Sequence, residues 1–200
     1  MRLLNFISVV LHPIVLPTVV VLCFFFSVPI IYPKSQRLTI LALVFITTYL
    51  IPILFVFLFR RLGVLTSYDK ISLNERKLPV LTMLFVFYLM GKAFYTVPNL
   101  RDLGTLFYSS ASALCFIYIV SFLNVKASLH LVAMGIATGF FLHLNSYYSK
   151  SFLGLIIVFI LLSGFLASSL LYLRSQHPKE IYVGFFIGLL APLLFSSFLQ

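Results

Sequence analysis

Acid is what this chain has least of: four Asp and Glu residues in 200, against fourteen Lys and Arg. Charge of either sign is scarce, at 9% of residues, while 62% are hydrophobic and the mean hydropathy is +1.15. A soluble domain of this length needs a charged surface that such a composition does not supply, so the chain reads as a polytopic membrane protein. Cysteine is nearly missing too. Cys23 and Cys115 both lie in apolar stretches, which argues against a disulfide framework. The first apolar segment is too long for a removable signal peptide and no small-residue cleavage site follows it, so it is expected to stay in the protein. No soluble stretch interleaves bases with aromatics. The net charge of +10 therefore points to anionic lipid head groups or a phosphorylated substrate, and not to nucleic acid.

What is present is a series of apolar segments near the about 20 residues that a bilayer requires. They fall at 6–31, 38–59, 80–97, 103–124, 128–145, 151–173 and 181–199, about seven spans. The expected fold is all-α, a polytopic transmembrane helix bundle forming a single integral membrane domain over residues 1–200. The expected residence is a bacterial inner membrane. Pro13, Pro17 and Pro29 predict a kinked first span, and Pro52 a bend in the second. Pro79 reads as the start of the third. Paired small residues, Gly135 with Gly139, Gly184 with Gly188 and more weakly Gly164 with Ser168, predict that spans five, six and seven form the compact core.

Strict alternation of seven spans collects residues 60–79, 124–128 and 174–180 on one side, called face A, and 32–37, 98–102 and 146–150 on face B. Face A carries Arg2, Arg60, Arg61, Lys70, Arg76, Lys77, Lys126, Arg174 and Lys179. Face B carries Lys34, Arg37, Arg101, Lys150 and, by snorkelling, Lys92. The excess favours face A inside, less firmly if several of these cations serve a bound phosphate.

Three polar clusters share face A. The first loop holds Tyr68-Asp69-Lys70-Ile71-Ser72-Leu73-Asn74-Glu75-Arg76-Lys77-Leu78-Pro79. It is either a basic loop on anionic lipid or a place where Lys70 and Arg76 reach over a phosphate, one as a point charge and the other as a fork. The second cluster, Lys126-Ala127-Ser128-Leu129-His130, opens the fifth span, where Ser128 can cap the helix and Lys126 can snorkel. The third runs from Ser169 through Arg174-Ser175-Gln176-His177-Pro178-Lys179-Glu180 into Tyr182 and Gly184. Here Pro178 and Glu180 also suit a helix start. His130 and His177 are expected at the A face of adjacent elements, flanking one substrate. His143 lies about 20 Å farther along the fifth span and belongs to face B.

Together the clusters resemble the type 2 phosphatidic acid phosphatase (PAP2) superfamily of membrane lipid phosphatases, over roughly residues 60–190. That family carries Lys-x6-Arg-Pro, Pro-Ser-Gly-His opening a helix, and Ser-Arg-x5-His-x3-Asp leading into a last helix. Ala127-Ser128-Leu129-His130 keeps the Ser and the His of the middle segment. Ser169-Leu170, Gln176 and Glu180 occupy the frame of the last. Glu75-Arg76-Lys77-Leu78-Pro79 and Lys126-x-Ser-x-His fit a divergent branch. The resemblance implies a lipid phosphate or prenyl diphosphate substrate, no metal or other cofactor, and a phosphohistidine intermediate. By position, His130 becomes the general acid, Glu180 orients the nucleophile, and Lys70, Arg76, Lys126, Ser128 and Arg174 hold phosphate. Gln176 fills the nucleophile's slot and Leu170 that of a phosphate-binding Arg. An amide cannot attack phosphorus, so activity would require His177 to substitute by a one-residue shift.

Three alternatives stand beside this one. The site can be catalytically inactive and still bind a head group. The clusters can be mere helix boundaries of a structural or assembly subunit. His12, His130 and His177 with Asp69, Glu75 and Glu180 can form a metal site, although no two of those histidines share an i,i+3 or i,i+4 spacing.

Overall fold

In the computed structural model, residues 13–63, 73–123, 125–148 and 151–198 are described, and all the regular structure among them is helical. The helices are α1 (Leu16–Ser27), α2 (Lys34–Arg61), α3 (Leu73–Tyr95), α4 (Arg101–Phe122), α5 (Leu129–Tyr147), α6 (Leu153–Tyr172) and α7 (Pro178–Phe198). Six of them, α2 to α7, are long and apolar enough to cross a membrane. The fold is an all-α bundle and the protein reads as multi-pass. α1 has 12 residues, about 18 Å, short of the about 30 Å hydrocarbon core. Residues 1–12, which hold the rest of the first expected span, lie outside the described set.

Proline departs from the expectation in α1 and α3. Pro17 sits in the first turn of α1 and Pro29 follows its end, so these two bound the helix and do not kink it. In α2 the ring of Pro52 disturbs the preceding turn, and the chain widens into a π turn over Ile46–Leu50, where the Ile51 N–H reaches the Ile46 carbonyl. Pro79 does not start α3. That helix begins at Leu73, and Pro79 lies inside it, with the Thr82 hydroxyl donating to the Leu78 and Pro79 carbonyls at 3.2 and 2.9 Å.

The closest seam in the bundle joins α5 to α7. A Cβ on Gly135 or Gly139 would meet the backbone at Phe185 and Leu189 of α7. One on Gly188 would meet Val132 and Ile136 of α5, and one on Gly184 would stand 2.6 Å from the Ser128 carbonyl oxygen. The Ser128 N–H donates to the Glu180 carbonyl at 2.9 Å, so the two helix starts are tied by a backbone bond. α6 packs on α5 as expected, burying Phe159, Ser163 and Leu166, and α4 joins the core as well. In its most apolar window α4 is 61% buried and α6 only 33%, and Gly164 of α6 faces open space. A Gly-x3-Ser pair marks a surface able to pack, and here no helix takes up that surface on α6.

At face B the bundle is fastened by side chains. The Tyr148 hydroxyl donates to the Asp102 carboxylate, joining the end of α5 to the start of α4. The Tyr32 hydroxyl donates to the Asn99 carbonyl at 2.6 Å, and the Phe152 N–H donates to the Asn145 side chain at 2.9 Å. Burial, and then the nearby Asp102 charge, pushes the Tyr32 phenol up to about 12; the Tyr148 phenol is raised by burial and then by its bond to Asp102. Both phenols stay protonated and keep donating at any physiological pH.

Gly188→Val should lower the thermal midpoint of the detergent-solubilised protein by the equivalent of about 3 kcal/mol or more, through backbone overpacking at α5. Gly164→Ala should leave it unchanged or slightly raised, because the new methyl meets nothing and Ala favours helix. Equal effects at the two sites would show that the seam does not hold the bundle. Tyr148→Phe should cost about 1.5–3 kcal/mol on the same assay, since it removes a hydrogen bond to a carboxylate. A change below about 0.5 kcal/mol would mean that water replaces the phenol at Asp102.

Candidate functional site

A cavity of about 460 Å3 opens at face A among α1 to α5 and the α6–α7 turn. Its size is within the roughly 300–1,000 Å3 usual for a small-molecule site. It follows directly from the helix geometry. α5 and α7 meet so closely that α5 is held to one side, while α2 touches the rest of the bundle mainly through α1 and α3, leaving space between. The walls run from Pro13 to Val20 on α1, Thr48 to Val56 on α2, Pro79 to Phe87 on α3, Leu106 to Leu114 on α4 and Leu129 to Ala137 on α5. α1 and α5 contribute their face-A halves, α2 and α3 their middle stretches, and α4 the stretch from Leu106 to Leu114, which reaches into its face-B half. On α5 the lining spans nine residues, about 12 Å of helix.

The lining is apolar except at four positions. The Ser110 hydroxyl donates to the Leu106 carbonyl at 2.7 Å, and the Thr48 hydroxyl lies 3.5 Å from that of Thr18. The other two are His130 and Gln176, at the face-A end. His130 is in the first turn of α5, held there by the Ser128 cap, whose hydroxyl accepts from the Leu131 N–H at 3.4 Å. Gln176 comes from the turn after α6. Arg174 takes φ +50° there and lets the chain reverse, with the Ser175 N–H donating to the Leu170 carbonyl at 3.1 Å in the manner of a Schellman cap. The Gln176 Oε1 is buried and has no hydrogen-bond partner among the described residues. An amide carbonyl left so is destabilising by about 1–3 kcal/mol, which marks it as an acceptor or, with the amide turned, a donor awaiting a partner.

The other sequence-derived site residues are distributed around this cavity and do not line it. His177, expected to flank a substrate with His130, is exposed on the turn; its backbone N–H donates to the Glu180 carboxylate at 3.4 Å, so that carboxylate caps α7. Ser128 is 1% exposed and sealed into the α5–α7 seam. Lys126 and Arg174 are exposed, and Lys126 borders a separate recess of about 20 Å3 that it shares with Lys77. Arg76 and Glu75 lie in the first turn of α3, with side chains outside the described set; Lys70, Asp69 and His12 lie wholly outside it. Among the described residues no Lys, Arg, Asp or Glu lines the cavity, and no three His, Cys, Asp or Glu side chains gather as metal ligands. The donor set fits no metal ion there.

Sequence reasoning singled out His130 and Gln176 by motif position, and it passed over Ser110, Thr48 and Phe87. A hydroxyl run, Ser109-Ser110-Ala111-Ser112, in the middle of an apolar span was the available signal for the first. Nothing in the sequence distinguishes Phe87 among 23 phenylalanines. No family model matches the chain, and no curated protein or solved structure matches it.

Gln176→Met keeps the side chain's length and removes the orphaned amide. The unliganded protein should then melt higher, by the equivalent of about 1–3 kcal/mol. A lower midpoint by differential scanning fluorimetry would mean that the amide has a structural partner after all.

Proposed function

We propose that this protein binds a lipid phosphate or prenyl diphosphate at face A, with the head at His130 and Gln176 and the first part of the tail in the apolar cavity, as a divergent PAP2-like membrane protein. The observation that carries the reading is the meeting of His130 and Gln176 at one end of an apolar cavity. These are the two positions, far apart in the chain, that the resemblance assigns to the general acid and to the nucleophile's slot. An amphiphile with a polar head and a hydrocarbon tail matches a cavity polar at its mouth and apolar below. His130 supplies a proton or a hydrogen bond to a phosphoryl oxygen, and the Gln176 amide, once turned, donates to another. Lys126 and Arg174, both exposed on face A, add long-range attraction for an anionic head.

Binding without turnover is the version these positions favour. Phosphoryl transfer to the protein needs an imidazole where Gln176 stands, and an amide nitrogen holds no lone pair available for attack on phosphorus. His177, the neighbour that could substitute, is exposed on the turn and does not line the cavity. In this reading the protein holds a lipid phosphate at a bacterial inner membrane and leaves its ester intact.

The test is a pair of measurements on the purified protein with dodecyl phosphate and farnesyl diphosphate: bound ligand by equilibrium dialysis, and inorganic phosphate released in the presence of EDTA. Saturable binding is expected, weakened about tenfold or more in His130→Ala because a hydrogen bond to a charged group is lost. No phosphate release is expected from the parent protein. Release that disappears in His177→Ala would overturn the non-hydrolytic version, and absence of saturable binding to either probe would overturn the whole reading.

A further inference from the structure

We propose that face A carries a second anion site, outside the cavity, at which Lys77 and Lys126 hold the phosphate of an anionic lipid from the surrounding leaflet; it stands independently of the reading above. The two lysines line one recess of about 20 Å3 together with Val80 on α3, Tyr118 and Ser121 on α4, and Ala127 before α5. Three parts of the chain therefore meet there: the second turn of α3, the last two turns of α4 and the segment that leads into α5. All of them lie at one boundary of the apolar layer, because Lys77 opens the spanning run of α3, Phe122 closes that of α4 and Leu129 opens that of α5. This is the depth at which lipid phosphates sit.

Charge and size both select a phosphate. Among the described residues neither lysine has an ion-pair partner, so two ammonium groups share the recess with no carboxylate to offset them. Like charges placed so repel, and an anion lying across both turns the repulsion into attraction. The Lys77 Nζ is held 4.4 Å from the centre of the Phe122 ring, where the face of the ring favours a cation. Complementing the C-terminal dipole of α4 accounts for one cation at that place and not for two. A recess of about 20 Å3 admits a single oxygen-sized atom. One phosphoryl oxygen seats in it, and the rest of the group stays at the mouth, bonded to both ammonium groups. The Ser121 hydroxyl already donates to the Tyr118 carbonyl at 2.6 Å, so the donors are the lysines. A lipid fits better than a free ion. Leu81, one turn below Lys77, and Phe122 are both exposed and give an acyl chain a surface to lie on, from which a bare phosphate gains nothing. Val80 lines this recess and the cavity alike, so the lipid stands against a wall of the cavity without entering it.

The experiment titrates the full chain, delipidated in a neutral detergent, with phosphatidylglycerol or phosphatidylcholine in mixed micelles, or with inorganic phosphate, and reads the thermal midpoint. Phosphatidylglycerol should raise the midpoint saturably, and phosphatidylcholine should not. Lys77→Gln and Lys126→Gln should each raise the half-saturating mole fraction about fivefold or more, the effect of one lysine at a lipid head group. Lys179→Gln removes an exposed cation of the same face that lies outside the recess. At physiological ionic strength it should change the half-saturating fraction by less than about twofold. A midpoint rise that both lysine variants keep, or that Lys179→Gln weakens equally, would mean diffuse attraction to a basic face and overturn the site. A rise abolished by His130→Ala would put the lipid head in the cavity and overturn it as well. The same rise from inorganic phosphate at matched concentration, lost in the two lysine variants, would overturn the lipid as the source. Binding of dodecyl phosphate in the cavity is read separately by dialysis, so failure here leaves that reading untouched.

Discussion

Direct backbone contact between α5 and α7 is the constraint on which the rest of the molecule depends. In a bilayer, association of helices gains little from the hydrophobic effect, because lipid tails are as apolar as the side chains they would replace. Close approach of glycine backbones supplies dispersion contacts that larger side chains would forbid. Gly135, Gly139, Gly184 and Gly188 provide it on both sides of the seam. The Ser128 N–H to Glu180 carbonyl bond then fixes the helix starts in register. That register is what brings the first turn of α5, with His130, beside the turn that carries Gln176. The position of the candidate site is thus a consequence of a packing choice made by four residues without side chains.

Much of this was legible in the sequence for a physical reason: each signal is local. Apolar length announces a span, a Ser before an apolar run announces a cap, and paired glycines announce a face that can be approached. Ser128 caps α5 and the α5–α7 glycines meet, as their spacing suggests. What the sequence hid was relational. Gly164 and Ser168 carry the same spacing as the others, yet no helix meets Gly164; α6 packs on α5 through another face, and α4, which no small-residue pair marked, is the more buried of the two. The prolines misled for a related reason. Pro79 lies in a helix interior and not at a start, because the preceding Leu73 to Leu78 segment is itself helical. At the site, motif position singled out Gln176 while chemistry argued for its neighbour His177; the geometry puts the amide at the cavity and the imidazole outside.

The cavity separates two kinds of polar group that the sequence runs together. Cations such as Lys126 and Arg174 are at the surface, where hydration keeps their charge inexpensive. The groups at the buried mouth, His130 and Gln176, carry no fixed charge. A permanent ammonium or guanidinium beside an apolar cavity would have to be desolvated whenever the cavity was empty, at a free energy of several kcal/mol. Side chains without a permanent charge avoid that standing penalty and can still form directional bonds. Under the proposed lipid phosphate reading, attraction at a distance falls to the surface cations and orientation on contact to His130 and Gln176.

The fastening at face B has a mechanical meaning of its own. Tyr148 clasps Asp102, Tyr32 clasps the Asn99 carbonyl and Asn145 clasps the α6 start, all at the end of the bundle opposite the cavity. A cluster of rods pinned at one end can widen only at the other. The backbone bond from Ser128 to Glu180 ties α5 to α7 at face A as well, so any widening of the mouth falls to α2, which packs only lightly on α1 and α3.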